Sequence, residues 1–182
     1  MISLKTCADL LADAPNCLAF LTAWQRWRGD DPVPSVDRIK PEELGKALNG
    51  LSILEVHSPE CSKYRLVGAS HIQAMGRDLT GEEVASVTPK NDQAQRMQGL
   101  WTMVSVPCGA IAELSYVRQS GFRTPTRRLV LPATPKSSGG TQRLYVAGDI
   151  SGGRAMRDYP PAGPVGVAGE GTYRGNGRGG TG

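Results

Sequence analysis

Asp78, with Glu82 and Glu83 close behind it, is the carboxylate group best spaced for general acid–base work. The same three residues equally suit the positive end of a helix, which favours acids for purely electrostatic reasons. His71 could titrate near neutrality or ligate a haem iron. The competing reading is a partly buried polar residue, and His57 at a strand end is a weaker candidate of the same kind. Cys61 and Cys108 could sense redox state if something lowered their pKa. No neighbour in the sequence would do so, and inert buried thiols are the favoured reading. The four cysteines, Cys7, Cys17, Cys61 and Cys108, include no C-x-x-C pair, and the two histidines are not spaced to complete a zinc site, so no metal site is expected. The chain carries neither a G-x-S-x-G elbow nor a Gly-rich phosphate loop ending in Lys-Ser/Thr. Residue chemistry therefore argues against an enzyme.

The elements that would position these residues centre on Tyr64-Arg-Leu-Val-Gly68-Ala and Gly76-Arg-Asp-Leu-Thr-Gly81. They read as a strand, a short helix over Ser70–Met75 and a Gly-bounded polar turn. In that turn Gly76 and Gly81 permit positive φ or close backbone approach. Asp78 and Thr80 can bond free backbone N–H groups, while Arg77 points to solvent or pairs with an acid. These roles are structural and are favoured over direct ligand contact. Upstream, Asn16 can cap a helix running to Arg28, with Leu18, Leu21, Trp24 and Trp27 in one apolar stripe. A short helix starts at Pro41 and stops at Asn49-Gly50. Leu51–His57 is a strand buried on both faces. Lys63–Gly68 alternates, with Tyr64 and Leu66 on one face, so a hairpin is expected. Thr88 caps a helix opening at Pro89, whose stripe is Met97, Leu100, Trp101 and Val104. Three strands follow, over Ala110–Val117, Thr126–Leu131 and Leu144–Ile150. The order of elements gives an α+β domain with an antiparallel sheet.

With 182 residues and 39% hydrophobic content, the chain suits one domain with a real core and a tail. The expected divisions are an N-terminal helical extension over 1–50, a domain over 51–151 and a flexible Gly/Pro-rich tail over 152–182. The net charge of +4 is mild, and Arg123, Arg127 and Arg128 read as a solvated strand face. A nucleic-acid partner is not expected, although the Arg-bearing tail could add weak, salt-sensitive binding. Asp9 and Asp13 break up any signal-peptide core, and no apolar run reaches the length of a membrane span. Unclustered cysteines fit a reducing compartment, so the expected location is cytoplasmic.

The passage around Tyr64–Gly81 resembles the PAS family, most closely its short stand-alone bacterial proteins. The resemblance rests on Leu21-Thr-Ala-Trp24 with Arg28-Gly29, Pro34, Ile39-Lys-Pro-Glu-Glu-Leu44, Leu54-Glu-Val56, Tyr64–Gly68 and Gly76–Gly81 in that order. It covers about Leu18 to Ile150. It implies a five-stranded antiparallel sheet of order 2-1-5-4-3, helices between strands two and three covering one face, and a ligand cavity between them. The family senses ligands, dimerises and docks partners. A stand-alone member would act on another protein in trans. Two departures matter. The Asn-Cys-Arg motif of flavin photoreceptors is absent, and no proximal-histidine pattern for haem is evident, so the cofactor is unknown.

The expected function is thus a sensory or regulatory PAS-type module of bacterial signal transduction. Its expected pocket wall is Tyr64, Leu66, Ile72, Met75, Leu79, Met97, Leu100, Trp101 and Leu114, holding a small apolar ligand. The rival is a ligand-free adaptor in which these side chains merely fill a collapsed cavity. The helix bearing Leu18, Leu21, Trp24 and Trp27 would be ordinary core, or, with surface left over, a homodimer interface. Gly68, Gly76, Asp78, Thr80 and Gly81 are expected to build the turn. Ligand and signalling partner are not identified by the sequence.

Overall fold

The computed structural model describes residues 4–117, 123–137, 139–150 and 165–167. Two helices, α1 (Leu4–Leu10) and α2 (Pro15–Arg28), precede 3-10 turns at Val36–Arg38 and Pro41–Gly50. The hairpin β1 (Leu51–Val56) and β2 (Ser62–Leu66) leads into α3 (Ala69–Met75), a 3-10 turn at Ala85–Val87 and α4 (Lys90–Ser105). Then come β3 (Gly109–Val117), β4 (Arg123–Ala133) and β5 (Gln142–Ile150). The five strands form an antiparallel sheet of order β2-β1-β5-β4-β3, as expected. A short strand β6 (Val165–Val167) pairs with the outer edge of β3. The rest of the expected tail lies outside the described residues.

Alternation along the central strand builds two separate cores. Leu144 and Val146 of β5 face a cluster formed with α3, the loop after it and α4. Tyr145 and Ala147 face a second cluster formed with α1, α2 and the Pro41–Gly50 segment. Strand β1 contributes to both, with Leu54 and Val56 on the first side and Leu51 on the second. The helices between β2 and β3 therefore cover one face, and the N-terminal helices cover the other.

Several local expectations change. Helix α1 was not foreseen, yet Cys7 and Leu11 around its end are fully buried. The tryptophan stripe of α2 is core and not a free interface. Leu21 is 1% exposed, and Trp24 and Trp27 are each 6% exposed, with Leu18 packed beside them. The indole N–H of Trp24 donates to the Pro132 carbonyl at 2.9 Å, and that of Trp27 to the Glu43 carboxylate at 3.0 Å. Both bulky side chains are used within the chain because α2 lies directly on the sheet. The Trp27 hydrogen bond, then the Arg26 contact, hold the Glu43 carboxyl below its usual range.

The N-terminus of α2 is not capped by Asn16, which is already inside the helix. The Asp149 carboxylate of β5 reaches it instead, accepting the backbone N–H of Asn16 at 3.1 Å and of Cys17 at 2.8 Å. A carboxylate is well matched to the free N–H groups and positive dipole there. Likewise Thr88 does not cap α4; its hydroxyl donates to the Val84 carbonyl at 2.6 Å. The Pro41 segment is a 3-10 turn broken at Gly45, whose φ of 54° stops a continuous helix.

Replacing Asp149 with Ala should lower unfolding free energy by about 1–2 kcal/mol, the range for losing a helix cap. Urea titration followed by circular dichroism measures it. An unchanged midpoint would show that this carboxylate does not hold α2 to the sheet.

Candidate functional site

The turn that follows α3 is built as its residue types require. Gly76 closes α3 in the left-handed region at φ 81°, and Gly81 takes φ 87°. Between them the Asp78 carboxylate accepts the Thr80 backbone N–H at 2.9 Å and the Thr80 hydroxyl at 2.7 Å. The Thr80 hydroxyl oxygen accepts the Val67 N–H at 3.3 Å. These bonds keep the Asp78 carboxyl below its usual range, the Thr80 side chain contributing most. Arg77 pairs with Glu82 at 3.2 Å. The chain then runs along the outer edge of β2: Gly81 N–H donates to the Tyr64 carbonyl, Tyr64 N–H to Glu82, and Val84 N–H to Ser62. The Asp78 and Glu82 carboxylates are thereby used within the turn.

This turn and α3 deliver an apolar layer against the sheet. Tyr64, Leu79, Met97 and Leu100 are buried there, with Ile72, Met75 and Trp101 partly buried at its margin. Leu54, Val56, Val67, Val84, Val104, Leu144 and Val146 complete it. The β1 and β5 members were readable as strand residues but not as parts of this layer. Leu66 does not belong to it. Leu54 pairs with Tyr64 but Ile53 pairs with Leu66, so Arg65 is an extra residue in β2. This bulge turns Leu66 onto the face opposite Tyr64, where it is 45% exposed. Leu114 stands in β3 opposite Thr126, and its side chain lies outside the described residues.

The polar part of this face was largely missed. His71 is 2% exposed. Its Nδ1 lies 2.7 Å from the Ser52 hydroxyl, which also accepts the Gly68 N–H at 3.1 Å. The other edge of the ring fills the space over Gly148, where an added Cβ would come within 2.1 Å of Nε2. Burial first, and the nearby Arg128 charge second, push the His71 pKa down to about 3. The imidazole is therefore neutral near pH 7, which overturns the expectation of titration near neutrality. Glycine is also required at Gly68, where a Cβ would sit 2.6 Å from the Asn49 and Leu51 carbonyl oxygens.

Arg127 and Arg128 of β4 are not a solvated face, and the side chain of Arg123 lies outside the described residues. Arg127 lies on the α2 side, against the carboxylates of Asp13 and Glu113, and donates to the Leu10 carbonyl at 3.1 Å. Arg128 shares the α4 side with Val130. The Arg96 guanidinium of α4 donates to the Tyr64 hydroxyl at 3.0 Å. The Cys108 thiol is pushed up by burial, which removes the low pKa a redox sensor needs. Among the described residues, no group of three His, Cys, Asp or Glu side chains could hold a metal ion, and no helix is long and apolar enough to cross a membrane.

Over residues 13–145 the sequence matches the PAS domain family, a span that runs from just before α2 to the first residues of β5. The chain belongs to that family. PAS domains are typically sensory rather than enzymatic, which makes this chain a sensory or regulatory module in the general sense. Among solved structures, it is similar to the PAS domain of an HTR-like protein from Haloarcula marismortui, with 12% identity and a TM-score of 0.38. That similarity covers 81% of this chain and 99% of the other. No curated protein matches the sequence.

The His71 pKa sets a pH dependence. Well above pH 6.5 neither folded nor unfolded chain protonates this ring, so it adds no slope there. Between 6.5 and about 3 the unfolded chain takes up a proton that the folded one refuses. Stability should fall as pH drops through that window, by up to ~1.4 kcal/mol per pH unit from this residue. Denaturant unfolding at pH 6.5, 5.5 and 4.5 should show a shallower decline for His71→Gln than for the unsubstituted chain. Equal declines would mean that the ring is not held neutral.

Proposed function

We propose that this chain is a sensory module of bacterial signal transduction that takes a small ligand between the sheet and α3/α4, and acts on a partner protein in trans. The observation that supports this reading most is the apolar layer. It gathers Tyr64, Leu79, Met97 and Leu100 from three separate stretches of sequence, with Ile72, Met75 and Trp101 only partly buried at its margin. A ligand would complete the packing of these three and bias the position of α3 and α4 against the sheet, which is how binding becomes a population shift. A homodimer, also expected for such a module, needs a surface other than the buried sides of Trp24 and Trp27.

Native mass spectrometry of the purified full chain, followed by denaturing extraction, tests the reading. A small molecule should appear in the native spectrum and in the extract. Leu100→Trp, which adds volume where the ligand would lie, should remove at least nine-tenths of it while costing about 1–3 kcal/mol of stability. A chain that carries no small molecule, binds none from a metabolite extract and still docks its partner is the ligand-free adaptor instead.

A further inference from the structure

The two edges of the sheet are closed to different extents. At the β2 edge the Gly81–Val84 segment takes backbone groups of Ser62 and Tyr64. At the other edge β3 runs for nine residues, and all of Ala110–Val117 is in register with β4. The outer side of β3 meets β6 only at Gly109, Ala110 and Ile111. Among the described residues no strand lies along the outer side of Ala112–Val117. An edge strand turns part of its N–H and C=O groups away from its one neighbour. This stretch therefore offers a row of backbone groups to a further strand.

β3 also lacks the features that keep an edge from pairing. Natural edges are protected by proline, by lysine or by a bulge. Gly109–Val117 contains no proline, lysine or arginine, and its register with β4 is unbroken. Its single charged residue, Glu113, is drawn to Arg127. Ile111, Tyr116 and Val117 are residue types that favour a paired strand.

The tail strand that does sit on this edge is a poor occupant. β6 is only Val165-Gly166-Val167, and its central Gly166 stands opposite Ala110. A glycine facing an alanine packs almost nothing across the strands. Nor can the tail extend the pairing. Counted back in the same register, Pro164 falls opposite Ala112, Pro161 opposite Ser115 and Pro160 opposite Tyr116. None of the three has an N–H to donate. A proline-free segment can pair along the whole of β3. It can also set larger side chains opposite Ala110 and Ala112, where the tail has a glycine and then a proline.

We propose that the outer edge of β3 docks an extended, proline-free segment of the partner protein, antiparallel to β3 and in place of β6. Main-chain hydrogen bonds hold such a segment, and bulky apolar or β-branched side chains opposite Ala110 and Ala112 select it. The inference rests on the reading above that the chain acts on a partner in trans, and it names the surface and the kind of segment. β6 marks the register and keeps the first part of the edge covered until the partner arrives.

The test uses the full chain and two fluorescent peptides. One has the sequence of residues 159–168, and the other carries Pro160→Thr, Pro161→Thr and Pro164→Thr in that sequence. Fluorescence anisotropy should show saturable binding of the threonine peptide, about tenfold or more tighter than the unsubstituted one, because more cross-strand pairs form. A chain carrying Val165→Pro with Gly166→Pro loses β6, since one of two consecutive N–H groups must face β3. It should bind the threonine peptide about tenfold tighter again, the competing strand being gone. Hydrogen exchange locates the site: amides within Ala112–Val117 should slow on binding, and those of Ser62–Leu66 should not. No binding of the threonine peptide, equal binding of the two peptides, or protection at β2 instead overturns the docking edge. A tail variant that binds no better overturns the exchange with β6. A peptide-free dimer by sedimentation, with Ala112–Val117 already protected, puts a second copy of the chain on this edge and overturns the partner segment. None of these results touches ligand sensing, which is judged by the extracted small molecule. A chain that carries no such molecule but binds the threonine peptide as expected loses the sensing reading and keeps the docking edge.

Discussion

At position 148 the central strand has no side chain, and the His71 ring occupies the space that a Cβ would need. The same residue's carbonyl oxygen lies 2.6 Å from where a Cβ on Gly50 would stand, and accepts the Asn16 amide at 3.4 Å. One residue further, Asp149 closes the N-terminus of α2. The two helical layers, one on each face, thus meet the sheet at adjacent residues of β5. Bare backbone is what allows both approaches, since packed interiors have no slack for an added methyl group. Any shift of α3 against the sheet moves the His71 ring over Gly148, and residue 149 beside it holds the helix on the other side.

The neighbouring strand divides its charge in the same way. Arg127 and Arg128 are consecutive and so lie on opposite faces. Arg127 is set against two carboxylates and a carbonyl oxygen, and ties the segment between α1 and α2 to β3 and β4. Such a pair offsets its desolvation only because several acceptors converge on one guanidinium. Arg128 is set against Arg96, Tyr64 and His71. Two identical side chains one residue apart therefore meet unlike surroundings, one among acceptors on the α2 side and the other beside His71 and Arg96 on the α4 side.

Strand alternation made much of this legible in the sequence. The placement of Leu144, Val146, Leu129 and Leu131, and the turn built on Gly76, Asp78, Thr80 and Gly81, follow from period and turn chemistry alone. What escaped depends on partners far along the chain. Asp149 caps a helix more than a hundred residues upstream, so the local Asn16 looked like the better cap. The bulge at Arg65 reverses the face of Leu66, and nothing in Lys63–Gly68 marks it. The Trp24 and Trp27 stripe was periodic enough to read, but its destination, the sheet or a partner, is a tertiary fact. For Arg128 a signal existed. Leu129 and Leu131 fix the phase of β4 and so put Arg128 on the face opposite them, but a basic pair on a strand suggested solvent.

The segment from Gly81 to Val84 that lies along β2 has a consequence for association. An outer strand with free N–H and C=O groups is a template on which another chain can add a strand. Here Ser62 and Tyr64 already give those groups to the chain's own loop. A second protein meeting this side of the sheet finds a turn fixed by Asp78 and Thr80 in its way. Recognition at this edge must be made through side chains, which makes it selective, and open-ended growth of the sheet from β2 is blocked by the loop that completes the domain.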